Sequence, residues 1–239
     1  MTGEQKELLA GIYLVATPIG NLEDISFRQK RILFECDLVA CEDTRRTGSL
    51  LSRLGIKKPL LSYHEHNEAA RARELAERAA AGERIAVVSD AGTPGISDPA
   101  YRVVRKAVGK SVRVVPVPGP SAVMAALVAS GLPTDRFVFE GFLPQKGERR
   151  LRRLEELLAE ERTVILFESP LRISRLVWEI SVRAPDRALV MARELTKIHE
   201  EIIRAAAKDL VLRLEKKKIK GECVLLIGPK RMDKKQAKD

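Results

Sequence analysis

The chain has 239 residues, with 43 Lys and Arg against 33 Asp and Glu, a formal net charge of +10. Hydrophobic residues at 45% can bury a core, and 15 Gly with 12 Pro is ordinary, which excludes disordered, collagen-like and low-complexity classes. No apolar run, the longest lying near Ala122 to Ala129, reaches the roughly 18 to 20 residues of a membrane span.

The opening MTGEQKELLAG has no basic segment followed by an apolar one, so no secretory signal is expected. Cys36, Cys41 and Cys223 form no CxxC pair and no disulfide framework, and the expected location is cytoplasmic. The basic balance favours an anionic partner, although a basic enzyme without one has the same composition. Aromatic residues at 4% argue against a stacking platform for single strands, so any nucleic-acid contact is expected to go through phosphates.

In chain order, short apolar β-branched runs cover Ile12 to Ala16, Leu38 to Cys41, Leu60 to Tyr63, Ile85 to Val88 and Val112 to Val117. Helical patterns over Phe27 to Phe34, Glu68 to Ala81 and Ala100 to Val108 lie between them. Continuous apolar strands separated by helices predict a parallel sheet covered on both faces. Gly131-Leu132-Pro133 ends a helix and opens a second unit, with runs at Phe137 to Phe142, Val164 to Phe167, Ala188 to Met191, Ile202 to Ala205 and Val224 to Ile227. The expected organisation is therefore α/β throughout: a first domain over residues 1–133, a second over 134–229 and a charged tail over 230–239. There is no internal repeat.

Three glycine-proline loops each follow a predicted strand: Ala16 to Leu22, Ser89 to Pro99, and Pro116 to Ala122. Parallel sheets place ligand loops at the carboxyl ends of their strands, and three such loops at one edge suggest a preformed small-molecule pocket using main-chain groups. No GxGxxG ends the first strand. Gly109-Lys110-Ser111 is only half of a phosphate-binding loop, with Val104 where its first glycine belongs, and it precedes a strand.

The segments VSDAGTPGISDPAY, ATPIGNLEDIS, ACEDTRRT, VPVPGPSA, FESPLRI and ARELTKIHEE resemble the tetrapyrrole (corrin/porphyrin) methylase superfamily, in the expected order from Gly11 to Gly228. Within it the chain is similar to the branch that 2′-O-methylates a cytidine ribose in the decoding centre of 16S ribosomal RNA, in the small ribosomal subunit. The resemblance implies two tandem α/β domains, a parallel-sheet one and a mixed-sheet one, with S-adenosylmethionine in a cleft between them, and a homodimer. It implies cofactor contacts at Gly92, Thr93, Pro94 and Ile96, with Pro118, Gly119, Ser121 and Ala122 on the next loop, and at Leu14, Leu166, Ala192 and Gly221. Thr93 stands where many relatives carry Asp in a Gly-Asp-Pro motif, leaving a hydroxyl or a carbonyl to meet the cofactor's amino group.

Methyl transfer from a sulfonium is an in-line displacement with a neutral leaving group. Its demands are positioning and removal of a proton from a weakly acidic hydroxyl. Candidate catalytic residues are Glu42 and Arg45, beside Asp43, and Glu194 and Lys197, beside Arg193. The competing reading makes Glu42–Arg45 and Glu194–Arg193 ion pairs that fix loops. His64 and His66 alternate as two metal ligands would, but only His199 remains as a third histidine, so no metal is expected; His64 and Asn67 are possible substrate contacts. Cys36 and Cys41 read as small core residues. Lys146, Arg149, Arg150, Arg152 and Arg153 form a basic stretch suited to RNA phosphates, extended by Arg46, Arg45 and Arg53; the alternative is a solvated helix face partly neutralised by Glu148, Glu155 and Glu156. A tetrapyrrole or diphthine-type protein methylase, or a non-catalytic ribosome assembly factor, remains the alternative function.

Overall fold

The computed structural model describes residues 7–215 and 217–231; most of the charged tail lies outside them. The chain divides into two compact units, 1–121 and 122–239.

The first unit alternates β1 (Gly11–Val15), α1 (Phe27–Glu35), β2 (Leu38–Cys41), α2 (Thr44–Arg53), β3 (Leu60–Ser62), α3 (Glu68–Ala80), β4 (Arg84–Val87), α4 (Ala100–Val108) and β5 (Val114–Val117). The strands form one sheet in the order β3-β2-β4-β1-β5, parallel at every pairing. Because successive side chains point to opposite faces, each strand feeds two cores. Tyr13, Val15, Val39 and Cys41 pack with Ile32 and Leu33 of α1 and Leu51 of α2. Ile12, Leu38 and Ala40 pack with Leu75 of α3 and Val103 of α4. Both faces are covered, which is why the strands read as unbroken apolar runs. Cys36 and Cys41 are buried in the first of these cores, where burial raises the Cys36 thiol to about 11.

The second unit contains α5 (Ala122–Val128), β6 (Phe137–Phe142), α6 (Glu148–Ala159), β7 (Thr163–Glu168), α7 (Ile173–Arg183), β8 (Ala188–Arg193), β9 (Glu201–Ala206), α8 (Ala207–Glu215) and β10 (Cys223–Ile227). Its sheet runs β6-β7-β10-β8-β9. Only the β6–β7 pair is parallel, so the sheet is mixed. Leu154 and Leu157 of α6, Leu176 and Ile180 of α7 and Leu210 of α8 cover one face, against Leu166, Met191 and Leu225. Helix α5, read from sequence as the end of the first unit, packs on β10 and divides with the second. Among the described residues no helix is long and apolar enough to cross a membrane.

Candidate active site

All five strands of the first sheet run the same way, so their carboxyl ends share one edge, and β4, β1 and β5 are neighbours there. The three glycine-proline loops leave that edge and are tied to one another. Thr17 and Gly92 exchange main-chain hydrogen bonds of 2.9 and 3.0 Å. The Thr17 hydroxyl donates to the Ser89 carbonyl (3.2 Å), and the Thr93 hydroxyl to the Pro120 carbonyl (3.2 Å). Gln29 locks the third side: fully buried at the start of α1, its amide Nε2 donates to the Ala16 carbonyl at 2.5 Å. Its Oε1 accepts from the Ser26 amide, while the Ser26 hydroxyl accepts from the Gln29 amide, closing a capping box. A Cβ at Gly119 would fall on the Gln29 amide group, so the close passage of the third loop requires glycine there.

This arrangement separates the expected cofactor residues by what they can offer. Gly92 is buried and its N–H and C=O are both spent on Thr17, and Pro94 is buried; they shape the loop rather than present atoms. Ile96, Pro118 and Gly119 are exposed at the edge. The backbone N–H groups of Thr93 and Gly119 have no hydrogen-bond acceptor among the described residues. Ser121 and Ala122 open α5 and are half-buried, and Leu14 is half-buried on β1. Thr93's hydroxyl is engaged within the loops, so its amide is the group left to a ligand.

The carboxyl end of β2 meets the loop after β4 through carboxylates. The Asp90 amide donates to Glu42 Oε1 (3.2 Å), and the Asp43 amide donates to Asp90 Oδ1 (3.1 Å). Arg46 pairs with the other Asp90 oxygen at 3.2 Å. Asp43 caps α2 by accepting from the Arg45 amide (2.8 Å) and pairs with the Arg45 guanidinium at 3.0 Å. That exposed pairing holds Asp43 down to about 2, whereas burial pushes Glu42 up from the ordinary carboxylate range. Asp98, accepting from the Gly95 and Ala100 amides, is likewise raised by burial. The Glu42–Arg45 ion pair of the competing reading is replaced by Asp43–Arg45, because Asp43 is the cap and Arg45 sits on its first turn. Arg53 is not part of this group: it ends α2, and a helix returning along the sheet carries it about 12 Å away at 1.5 Å per residue.

In the second sheet, the register places Glu168 of β7, Arg193 of β8, Glu201 of β9 and Cys223 of β10 at one edge. There Glu194 accepts from the Glu222 amide and from Lys197 Nζ, both at 2.9 Å, and Lys197 also reaches Glu222 at 3.1 Å. The Lys197 bond holds Glu194 below the ordinary range. Arg193 pairs with Glu201 (2.7 Å), not with Glu194. A Cβ at Gly221 (φ +84°) would strike the Glu194 carboxylate. Glu194 and Thr196 take positive φ, 50° and 66°, without being glycine. Two residues expected to touch the cofactor are enclosed instead: Leu166, 1% exposed, packs under the helices with its backbone paired on both sides, and Ala192 is buried within β8.

The basic stretch divides along α6. Arg150 is 2% exposed, bonded to Glu179 at 3.0 Å and to the Pro144 carbonyl at 3.2 Å, with Glu168 at 3.7 Å, so it is a core residue and not a phosphate contact. Its spacing from Leu154 and Leu157 put it on the apolar face, a signal present in the sequence. Arg153 pairs with Glu140 (2.5 Å) and Glu156 (2.7 Å). Lys146, Arg149 and Arg152 are exposed, with no ion pair among the described residues. His64 and His66 lie edge to face at 5.8 Å, and Asn67 holds the turn by accepting from the His64 amide. No group of three or more His, Cys, Asp or Glu that could hold a metal occurs among the described residues. Sequence reasoning missed Gln29 and Asp90 as organising residues, because their partners come from other loops.

The profile of the tetrapyrrole (corrin/porphyrin) methylases matches residues 11–211. The chain is 46% identical to ribosomal RNA small subunit methyltransferase I of Synechocystis sp., over 91% of this chain and 78% of that one. It is 44% identical to the protein of the same name from Thermotoga maritima, over 92% and 98%. Among solved structures it is similar to diphthine synthase (TM-score 0.74, 16% identity, 95% and 92% covered). It is also similar to uroporphyrin-III-C-methyltransferase from Thermus thermophilus (TM-score 0.61, 19% identity, 92% and 93% covered); at these identities the likeness is one of fold.

Proposed function

The chain belongs to the tetrapyrrole (corrin/porphyrin) methylase family, and from that premise we infer that it is an S-adenosylmethionine-dependent methyltransferase of small-subunit ribosomal RNA. We propose the 2′-hydroxyl of a cytidine in the decoding centre of 16S ribosomal RNA as the acceptor, and a cytoplasmic homodimer as the working form. The observation that carries the substrate class is identity of 44 to 47% over more than nine-tenths of this chain to relatives bearing that activity in their names.

The three tied loops suit this cofactor. Their free main-chain N–H groups at Thr93 and Gly119 match its polar amino-acid and adenosine groups, and the exposed Ile96 and Pro118 offer apolar surface. When bound, the cofactor supplies an electrophilic methyl on a sulfonium with a neutral leaving group. The chain's task is then to hold the ribose hydroxyl in line and to take its proton. Glu42 suits proton acceptance: burial raises its affinity for a proton while its Oε1 is fixed on the Asp90 amide. Arg45 and Arg46, on the first turn of α2, place positive charge at the same edge for the flanking phosphates. In the second unit, Lys197, held between Glu194 and Glu222, is the candidate positioning cation at the edge of that sheet.

The test is incubation of the purified protein with radiolabelled S-adenosylmethionine and small ribosomal subunits lacking the modification, followed by mapping of the label. A single 2′-O-methyl cytidine in the decoding region is expected. Label on a base or elsewhere overturns the acceptor assignment. Cofactor binding without RNA label favours a tetrapyrrole or diphthine-type protein substrate, and absence of cofactor binding favours an assembly factor.

A further inference from the structure

Helices α3 and α4 lie side by side on one face of the first sheet and leave a groove of about 860 Å³ between them. On the α3 side its lining is the small side chains Ala69 and Ala72, so an extended chain can approach that helix closely. The α4 wall is cationic. Arg102 is bound to Glu68 at 2.5 Å, and Lys110, at the far end, lies 3.8 Å from Glu77. Arg105 and Lys106 are exposed and have no carboxylate partner among the described residues, leaving the groove with uncompensated positive charge. Cations near a helix C-terminus favour the macrodipole, but that role needs neither a groove nor an aromatic ring. Tyr101, 65% exposed, stands one turn before Arg105 on the same wall. An aromatic face beside two cations without carboxylate partners, across from small side chains, suits an alternation of phosphate and sugar or base. Helix α4 begins at Ala100, directly after the loop that carries Gly92, Thr93 and Asp98, so the groove starts beside the ligand edge at Tyr101 and runs away from it, with Arg105 and Lys106 about 8 to 9 Å along the helix.

We propose that the α3–α4 groove binds the sugar–phosphate backbone of the substrate RNA flanking the methylated nucleotide, with Arg105 and Lys106 as phosphate contacts and Tyr101 as a stacking surface. This rests on the ribosomal RNA reading above. It uses residues of the first unit, not Lys146 or the α6 residues Arg149 and Arg152.

The experiment compares wild type, R105Q/K106Q and a charge-matched control, R213Q/K218Q, whose residues are exposed elsewhere in the second unit. The probe is small ribosomal subunits lacking the modification, titrated at several salt concentrations, with methylation kinetics in parallel. Each lost phosphate contact lowers the slope of log K against log salt by about 0.7 to 0.9, so R105Q/K106Q is expected to lower it by about 1.4 to 1.8. Affinity at low salt should fall about tenfold or more. KM for subunits should rise while kcat at saturation and cofactor affinity stay at wild-type values, and the control should match wild type. A slope and affinity unchanged in R105Q/K106Q, or lowered equally in the control, overturns the inference while leaving the ribosomal RNA reading intact. A wild-type protein that neither binds nor methylates the subunits overturns both.

Discussion

Thr17 and Gly92 hold each other by two reciprocal main-chain hydrogen bonds, joining the loop after β1 to the loop after β4 as a single antiparallel bridge. With the Thr93 hydroxyl on the Pro120 carbonyl and the Ala16 amide on the Val117 carbonyl, the three loops at this edge form a closed set of mutual ties, and Gln29 of α1 braces the first of them at the Ala16 carbonyl. The ligand edge is therefore set before any ligand arrives, which reduces the ordering cost of binding.

Gly119→Ala tests the third tie. A Cβ at Gly119 would overlap the Gln29 amide, which is itself held on two sides. Overpacking of this kind costs about 1 to 3 kcal/mol. Cofactor affinity by calorimetry should drop at least tenfold while the circular-dichroism spectrum stays native. Gln29→Ala should also lower stability, by about 1 to 3 kcal/mol, because it strips a buried carbonyl of its donor. An unchanged cofactor affinity in Gly119→Ala would separate this loop from the binding site.

Glu42 and Asp43 are adjacent and titrate in opposite directions. Burial makes the folded chain hold the Glu42 proton more tightly than the unfolded chain does. Its contribution to stability is greatest below the ordinary carboxylate range and is lost as pH rises through the elevated value. Asp43, lowered to about 2 by Arg45, contributes above the ordinary value near 3.8 and loses that contribution as pH falls toward 2. Glu42→Gln should therefore gain thermal stability relative to wild type at pH 7 but not at pH 4, while methyl transfer falls by about a hundredfold, in the range of general acid–base effects. Wild-type turnover in Glu42→Gln removes this carboxylate from the mechanism.

Arg150 predicts a change in folding rather than in RNA binding. Arg150→Ala leaves Glu179 and Glu168 buried with a lost partner, at a cost of about 3 to 5 kcal/mol measurable by denaturant titration. Arg149→Gln with Arg152→Gln, both exposed, should leave stability within about 0.5 kcal/mol. The same pair should weaken binding to small ribosomal subunits and reduce its salt slope, and an unchanged slope would assign this helix face to solvent.

Gly221→Ala probes the second sheet's edge. The added Cβ meets the Glu194 carboxylate at a position of positive φ, so Glu194 must leave its bonds to the Glu222 amide and to Lys197. Methyl transfer should fall at least tenfold, and Lys197→Ala should show the same loss without the backbone strain. Full activity in Lys197→Ala would reduce the Glu194–Lys197–Glu222 cluster to a loop clasp.

Much of this protein was legible in the order of its residues. The apolar runs located the ten strands, most plainly in the first sheet, where burial on both faces leaves no polar alternation to confuse the reading. The glycine-proline loops were legible for a local reason, since φ and close approach are properties of single residues. Side-chain destinations were present in the helical phase but missed when the basic stretch was read as one patch: Arg150 shares the buried face of Leu154 and Leu157, while Arg149 and Arg152 are exposed.

Partnerships were decided by helix capping and by tertiary structure. Arg45 chose Asp43 over Glu42, and Arg193 chose Glu201 over Glu194, because strand register and helix capping set those distances. Gln29 became the lock of the ligand edge because a parallel sheet in the order β3-β2-β4-β1-β5 brings the loops after β1 and β5 together. The linear sequence fixes periodicity, charge and conformational freedom residue by residue. Which distant loop supplies each hydrogen-bond partner is set by strand order, and that order emerges only when both faces of the sheet are buried at once.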